Sequence, residues 1–250
     1  MQSLLIRFCI QRHGSNFQIT YPENSDAVQY GSRSQYLTSS FFNHVKVLSP
    51  YMPAFEKLTA HLRQNKPGAR IMYFGEIFGG SVQTVNAVWY NDAVDFKAFD
   101  LFVAGEVSRR HTRNTLEISP SYADGCDAKG SGQQQQRHVQ PGDTTMCCTS
   151  RTELTFDSFF SAFQPMNRDE MFSLFEQFGV PYLKPRARGK LAQLLEMDPA
   201  FESEVYASYG FAKPAAKNPA EGMVLSPVIP VTVIDDGTPV RIMLKHKNQT

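Results

Sequence analysis

Strand-like and helical runs mix along this chain without a regular strand–helix–strand repeat, and that irregular order narrows the fold more than any other feature. Parallel sheets need a crossover helix between successive strands, so the mixture favours an α+β fold with antiparallel sheets. Phe17-Gln18-Ile19-Thr20-Tyr21 alternates apolar and polar residues and is stopped by Pro22. Ile71–Phe78 and Phe96–Val103 read as buried strands, and a looser helical pattern covers Phe41–Arg63. Met171, Leu174, Phe175 and Phe178 fall at helical spacing, with Asn167 and Glu170 as an N-terminal cap and Gly179 with Pro181 as the stop. A second short helix spans Lys190–Met197. Met223–Ile234 and Val240–Lys247 read as two strands joined by the hairpin signal Asp235-Asp236-Gly237.

Residues 108–151 differ in kind. They hold Gln133–Gln136, several Gly and Ser residues and few large apolar ones, so burial cannot offset their ordering entropy. We expect a disordered surface insertion at 108–151 within one domain spanning 1–250. Its basic cluster (Arg109, Arg110, His111, Arg113) has two readings, contact with RNA or a solvated loop, and the frequency of charge runs in such segments favours the loop.

The chain as a whole has ordinary globular chemistry, 42% hydrophobic and 20% charged, and its net charge of +1 neither requires nor excludes a polyanionic partner. Cys9, Cys126, Cys147 and Cys148 show no metal-type spacing, and two adjacent cysteines cannot frame a disulfide scaffold. That pattern suits an intracellular, reducing location, with the compartment left open. No apolar run approaches the roughly 18 residues that span a bilayer, so no membrane partner is expected. Met1–Ile10 is too short for a signal peptide and reads as a strand entered part-way, as if an N-terminal portion were missing.

Several short segments concentrate reactive chemistry. His13-Gly14-Ser15-Asn16-Phe17 is a tight polar turn feeding a strand, with glycine letting the backbone approach a ligand and His and Asn for directed hydrogen bonds. Gly75-Glu76-Ile77-Phe78-Gly79-Gly80 places a carboxylate in an apolar stretch, which is costly unless the carboxylate binds something. Phe99-Asp100 closes a buried strand, and Glu221-Gly222-Met223-Val224-Leu225 opens another with a carboxylate. Lys245 and Lys247 lie two residues apart and share a strand face. Two ammonium groups near carboxylates suit a triphosphate with magnesium.

Taken in order, His13-Gly14-x-Asn16-Phe17, Gly31-Ser32-Arg33-Ser34, Gly75-Glu76-Ile77-Phe78-Gly79, Phe99-Asp100, Glu221-Gly222 and Lys245-x-Lys247 resemble the RNA ligase 2 family, which includes the ligases of trypanosome mitochondrial RNA editing. The resemblance runs from about Ile10 to Lys247. It implies the covalent nucleotidyltransferase fold of DNA and RNA ligases (ATP-grasp-like), with antiparallel sheets around a nucleotide pocket. It implies ATP and Mg2+ as cofactors, and RNA 5′-phosphate and 3′-hydroxyl ends as partners, within a larger RNA-processing complex. By the same resemblance Phe99 stacks on adenine, Glu76 contacts the ribose, and Arg33 helps place phosphate or the RNA end. Glu221 serves the metal-dependent step, Lys245 and Lys247 neutralise phosphate charge, and His13 and Asn16 support the later steps. Lys184–Lys190, with Arg186 and Arg188, is a candidate for contact with the RNA backbone.

One position departs from the family pattern. Gln11 stands where the family has the lysine that attacks the α-phosphorus of ATP. A carboxamide nitrogen has its lone pair delocalised into the carbonyl, and the neighbouring Arg12 stays protonated, so neither replaces that amine. Ile10 and Arg12 also depart from the family's surroundings, which favours natural loss over an engineered exchange of one residue; a misassembled gene start, in keeping with the abrupt N-terminus, is the competing account. Two functions follow: a ligase impaired in its first step, or a pseudo-ligase that holds nucleotide or RNA ends.

Overall fold

Apolar alternation in the first hundred residues builds a sheet, and later segments return to build a second. The computed structural model describes residues 5–11, 14–32, 35–82, 90–104, 164–235 and 238–247. In chain order, β1 (Leu5–Gln11), β2 (Ser15–Tyr21) and β3 (Gln29–Gly31) precede α1 (His44–Leu48) and α2 (Met52–Asn65). Next come β4 (Arg70–Phe78), β5 (Asp95–Ala104), β6 (Gln164–Pro165), α3 (Arg168–Phe178), β7 (Ala187–Lys190) and α4 (Leu191–Leu195). The chain continues through β8 (Gly222–Pro227), β9 (Thr232–Asp235), β10 (Thr238–Arg241) and β11 (Leu244–Lys247). These form an antiparallel sheet ordered β3-β2-β4-β5-β6, a second ordered β11-β8-β1-β7, and the ribbon β10-β9. All described residues belong to one unit made of 1–107 and 155–250. The insertion expected at 108–151 lies outside the described residues.

One face of the five-stranded sheet carries Phe17, Ile19, Tyr21, Ile71, Tyr73, Ile77, Phe96 and Leu101, at alternate positions of β2 and β4 and on either side of an irregularity in β5. It packs on Phe55 and Leu58 of α2 and on Met171 and Phe175 of α3, forming the main core. The period-2 face of each strand thereby meets a period-3.6 face of each helix. The opposite face holds the remaining alternate residues, including Asn16, Glu76 and Asp100. A smaller core joins Ile6, Met223 and Leu225 of the four-stranded sheet to Leu194 of α4.

Several boundaries differ from the sequence reading. The run over Met223–Ile234 is two strands, because Pro227 and Pro230 lack the amide hydrogen a ladder needs. Val240–Lys247 divides as well. Its first part pairs with β9 in the expected hairpin, whose turn at Asp236-Gly237 lies outside the described residues, and its second part pairs with β8. The helical pattern over Phe41–Arg63 breaks at Ser49-Pro50 into α1 and α2. Lys190 belongs to β7, so the second helix shortens to Leu191–Leu195. Phe99-Asp100 does not close its strand, since β5 runs on to Ala104.

Candidate functional site

Strand register brings distant segments into two rows. In the four-stranded sheet Gln11 lies opposite Gly222, and Gly222 lies opposite Lys247. Gln11 and the fifth and sixth of the sequence segments therefore share one line across three strands. Gly222 has φ of +142°, a conformation that strains any residue with a β-carbon, so the position calls for glycine. Lys245 pairs with Val224 on the same face as Lys247, and both lysines are exposed. Lys247 Nζ lies 3.4 Å from Glu221 Oε1, and the Glu221 side chain is only 21% accessible. The Gln11 backbone is described in β1; its side chain, His13 and Arg33 fall outside the described residues.

The second row crosses the five-stranded sheet, where Asn16 lies opposite Glu76 and Glu76 opposite Lys97. Gly14 sits hard against it. A β-carbon there would come within 2.6 Å of both Glu76 Cγ and the Ile77 carbonyl. Lys97 was not singled out from the sequence. Its position two residues before Phe99, hence on the same strand face, was the available signal. Its ammonium lies 3.7 Å from Asp95 Oδ2 and 5.5 Å from the centre of the Tyr209 ring. Asp95 also accepts hydrogen bonds from the Tyr51 and Tyr209 hydroxyls. Burial, followed by the bond to Asp95, pushes the Tyr51 phenol well above its ordinary value.

Phe99 occupies an irregularity in this sheet. Pairing passes from Phe74–Asp100 to Gly75–Ala98, leaving Phe99 as the extra residue of a β-bulge. Beside it, Asp100 is buried between two arginines. Arg168 Nη2 lies 3.3 Å from the Asp100 carboxylate, Arg241 Nη1 donates to the same oxygen, and Arg168 Nη1 donates to the Phe99 carbonyl. Burial lowers Arg241 from the usual arginine value, the Asp100 charge raises it, and the Arg168 charge lowers it further. Neither arginine was identified from the sequence, because each reaches Asp100 from a different strand or helix.

Three basic residues of the segment Lys184–Lys190 have acidic partners within the fold. Lys184 lies 3.9 Å from Glu176, Arg186 2.6 Å from Glu204, and Arg188 3.0 Å from Asp169. Two surface hollows of about 390 and 290 Å³ are lined by residues such as Arg186 and Phe201, and Leu62 and Met166; apart from Arg186, none of the expected site residues contributes. Among the described residues no three His, Cys, Asp or Glu side chains converge to hold a metal. No helix among them is long and apolar enough to cross a membrane.

Two antiparallel sheets with this mixture of helices match the RNA ligase nucleotidyltransferase structures. The chain belongs to the RNA ligase family, whose pattern it matches over residues 12–246. Solved structures similar to it include an unliganded alanine variant of Naegleria gruberi RNA ligase (TM-score 0.52, 15% identity, 98% of this chain and 50% of that one). Another alanine variant of the same ligase, with ATP and manganese, gives a TM-score of 0.52 at 14% identity over 99% of this chain and 51% of that one. The chain thus spans about half the length of the solved chains it matches. No curated protein matches it.

Proposed function

We propose that this chain is the nucleotidyltransferase domain of an ATP-dependent ligase of the RNA ligase 2 type, which joins RNA 5′-phosphate and 3′-hydroxyl ends and is blocked by Gln11 at self-adenylylation. The observation that carries this reading is the row Gln11–Gly222–Lys247 with Glu221 beside it, which collects a nucleophile position, a carboxylate and a phosphate-seeking amine on adjacent strands. Self-adenylylation would need an amine at position 11 to form a bond to the α-phosphorus while pyrophosphate leaves. Gln11 supplies none. Sealing of an end that already carries AMP needs no such amine: the 3′-hydroxyl oxygen attacks the 5′-phosphorus and AMP departs.

In this reading Phe99 is the base platform, Glu76 and Asn16 face the sugar and the RNA end, and Lys245 and Lys247 balance the phosphates. His13 and Arg33 act at the RNA end and its phosphate. ATP and a divalent ion enter the proposal from the Naegleria ligase held with ATP and manganese. A single carboxylate beside two lysines suits Mg2+, which keeps water and substrate phosphate oxygens for most of its shell. Glu221 is the residue that would hold the ion, whose chemistry there is withdrawal of charge from the phosphates.

Gln11 itself favours a second reading, a pseudo-ligase that holds nucleotide or RNA ends in a larger complex. Intact-mass measurement after incubation with ATP and magnesium, paired with sealing of chemically 5′-adenylated RNA, separates the two. We expect no AMP on the native chain, one AMP on Gln11→Lys, and sealing of adenylated RNA by both. Binding of ATP without sealing by the native chain would establish the pseudo-ligase instead, and one AMP on the native chain would overturn the assigned block.

A further inference from the structure

The bulge at Phe99 leaves that residue without a partner in the ladder, and a backbone carbonyl partly withdrawn from water needs a donor. Arg168, the first residue of α3 and itself only 4% exposed, supplies that donor. Its other terminal nitrogen reaches Asp100, so one planar guanidinium grips two consecutive residues of β5. Asp100 is simultaneously held by Arg241, four residues before Lys245, and its own Oδ1 accepts from the Leu101 amide. The Arg168 amide donates to the Val228 carbonyl just past β8, tying the same residue to the strand that begins after Glu221. A buried carboxylate shared by two arginines adds little net stability, and its effect is to favour one geometry.

We propose that Arg168 is a positioning residue for the base platform, fixing the Phe99 bulge through the Phe99 carbonyl and the Asp100 carboxylate while Arg241 ties the platform to the end of β10, just before the strand bearing Lys245 and Lys247. This rests on the reading of Phe99 as the surface on which a base stacks. Lysine cannot replace Arg168, because one ammonium on a flexible stem does not span carbonyl and carboxylate in a fixed plane.

The test uses two ligands titrated calorimetrically with magnesium: ATP, and inorganic tripolyphosphate, which has the charge but no base. Arg168→Lys weakens ATP about tenfold, the scale of one lost base–aromatic contact, and leaves tripolyphosphate unchanged. Phe99→Ala does the same, and the double variant is no weaker than Phe99→Ala alone, because both changes remove one contact. A parallel loss of both ligands, or additive losses in the double variant, would make Arg168 merely structural and overturn the proposal. Should Arg168→Lys lose its thermal transition, Asp100→Asn replaces it with the same expected pattern. Native chain that binds ATP no better than tripolyphosphate defeats the platform reading itself and this proposal with it. ATP affinity that Arg168→Lys leaves intact defeats the proposal alone.

Discussion

Gly14 has no room for a β-carbon, since one would sit 2.6 Å from Glu76 Cγ and from the Ile77 carbonyl oxygen. The Glu76 side chain can yield, but the carbonyl belongs to the β4 backbone and cannot. Gly14→Ala should therefore destabilise the protein by about 1–3 kcal/mol, the usual cost of overpacking, measured as a lower urea midpoint at unchanged m-value. The sequence reading assigned this glycine to close approach of a ligand, whereas the neighbours that crowd it are Glu76 and the β4 backbone. Glu76 was recognisable because a carboxylate in an apolar run is conspicuous. Lys97 and Arg168 carry no such local signal: a charged residue is ordinary until its partner on another element is known.

At the scale of elements, α3 shows where local chemistry suffices. The Asn167 side chain accepts from the Asp169 amide at 2.9 Å, Asp169 and Glu170 occupy the first turn, and Gly179 closes the end. Each feature acts within four residues, so the sequence announced the helix with its boundaries. Asn167→Ala should cost about 1 kcal/mol in denaturant unfolding, whereas Asn167→Asp should be nearly neutral because aspartate caps equally well. The strands after Glu221 show the opposite case. Apolar content suggested one long strand over Met223–Ile234, but prolines at 227 and 230 divided it and sent the two parts to different partners. Composition gave the propensity; the missing amide hydrogens decided the pairing.

For the whole molecule, the core gives stability a dependence on pH. His44 is 5% exposed, its ring lies 5.4 Å from Phe17 and 4.8 Å from Tyr30, and its Nδ1 accepts from the Phe41 amide. Burial lowers its pKa below the ordinary 6.5 and outweighs a smaller opposing contribution from the Phe41 backbone, while the amide donated to Nδ1 favours the neutral ring. The folded state thus binds fewer protons than the unfolded state just below that value. The His44 contribution is complete above about pH 6.5 and is lost as pH falls from there through the lowered folded value. Thermal midpoints should drop between pH 7 and pH 5, and His44→Gln should flatten that part of the curve; an unchanged slope in the variant would exclude His44 as the source.

The sequence by itself determined the kinds of elements, the α+β class and the identity of the short reactive segments, because periodicity, caps and turn residues act over a few neighbouring positions. Tertiary structure alone decided that Gln11, Gly222 and Lys247 share one row, that Asn16, Glu76 and Lys97 share another, and that Asp100 is gripped by two arginines. Strand partners more than two hundred positions apart, such as Gln11 and Gly222, are selected by which faces bury together and which amides find carbonyls. That choice depends on the completed core, and no local stretch of sequence contains it.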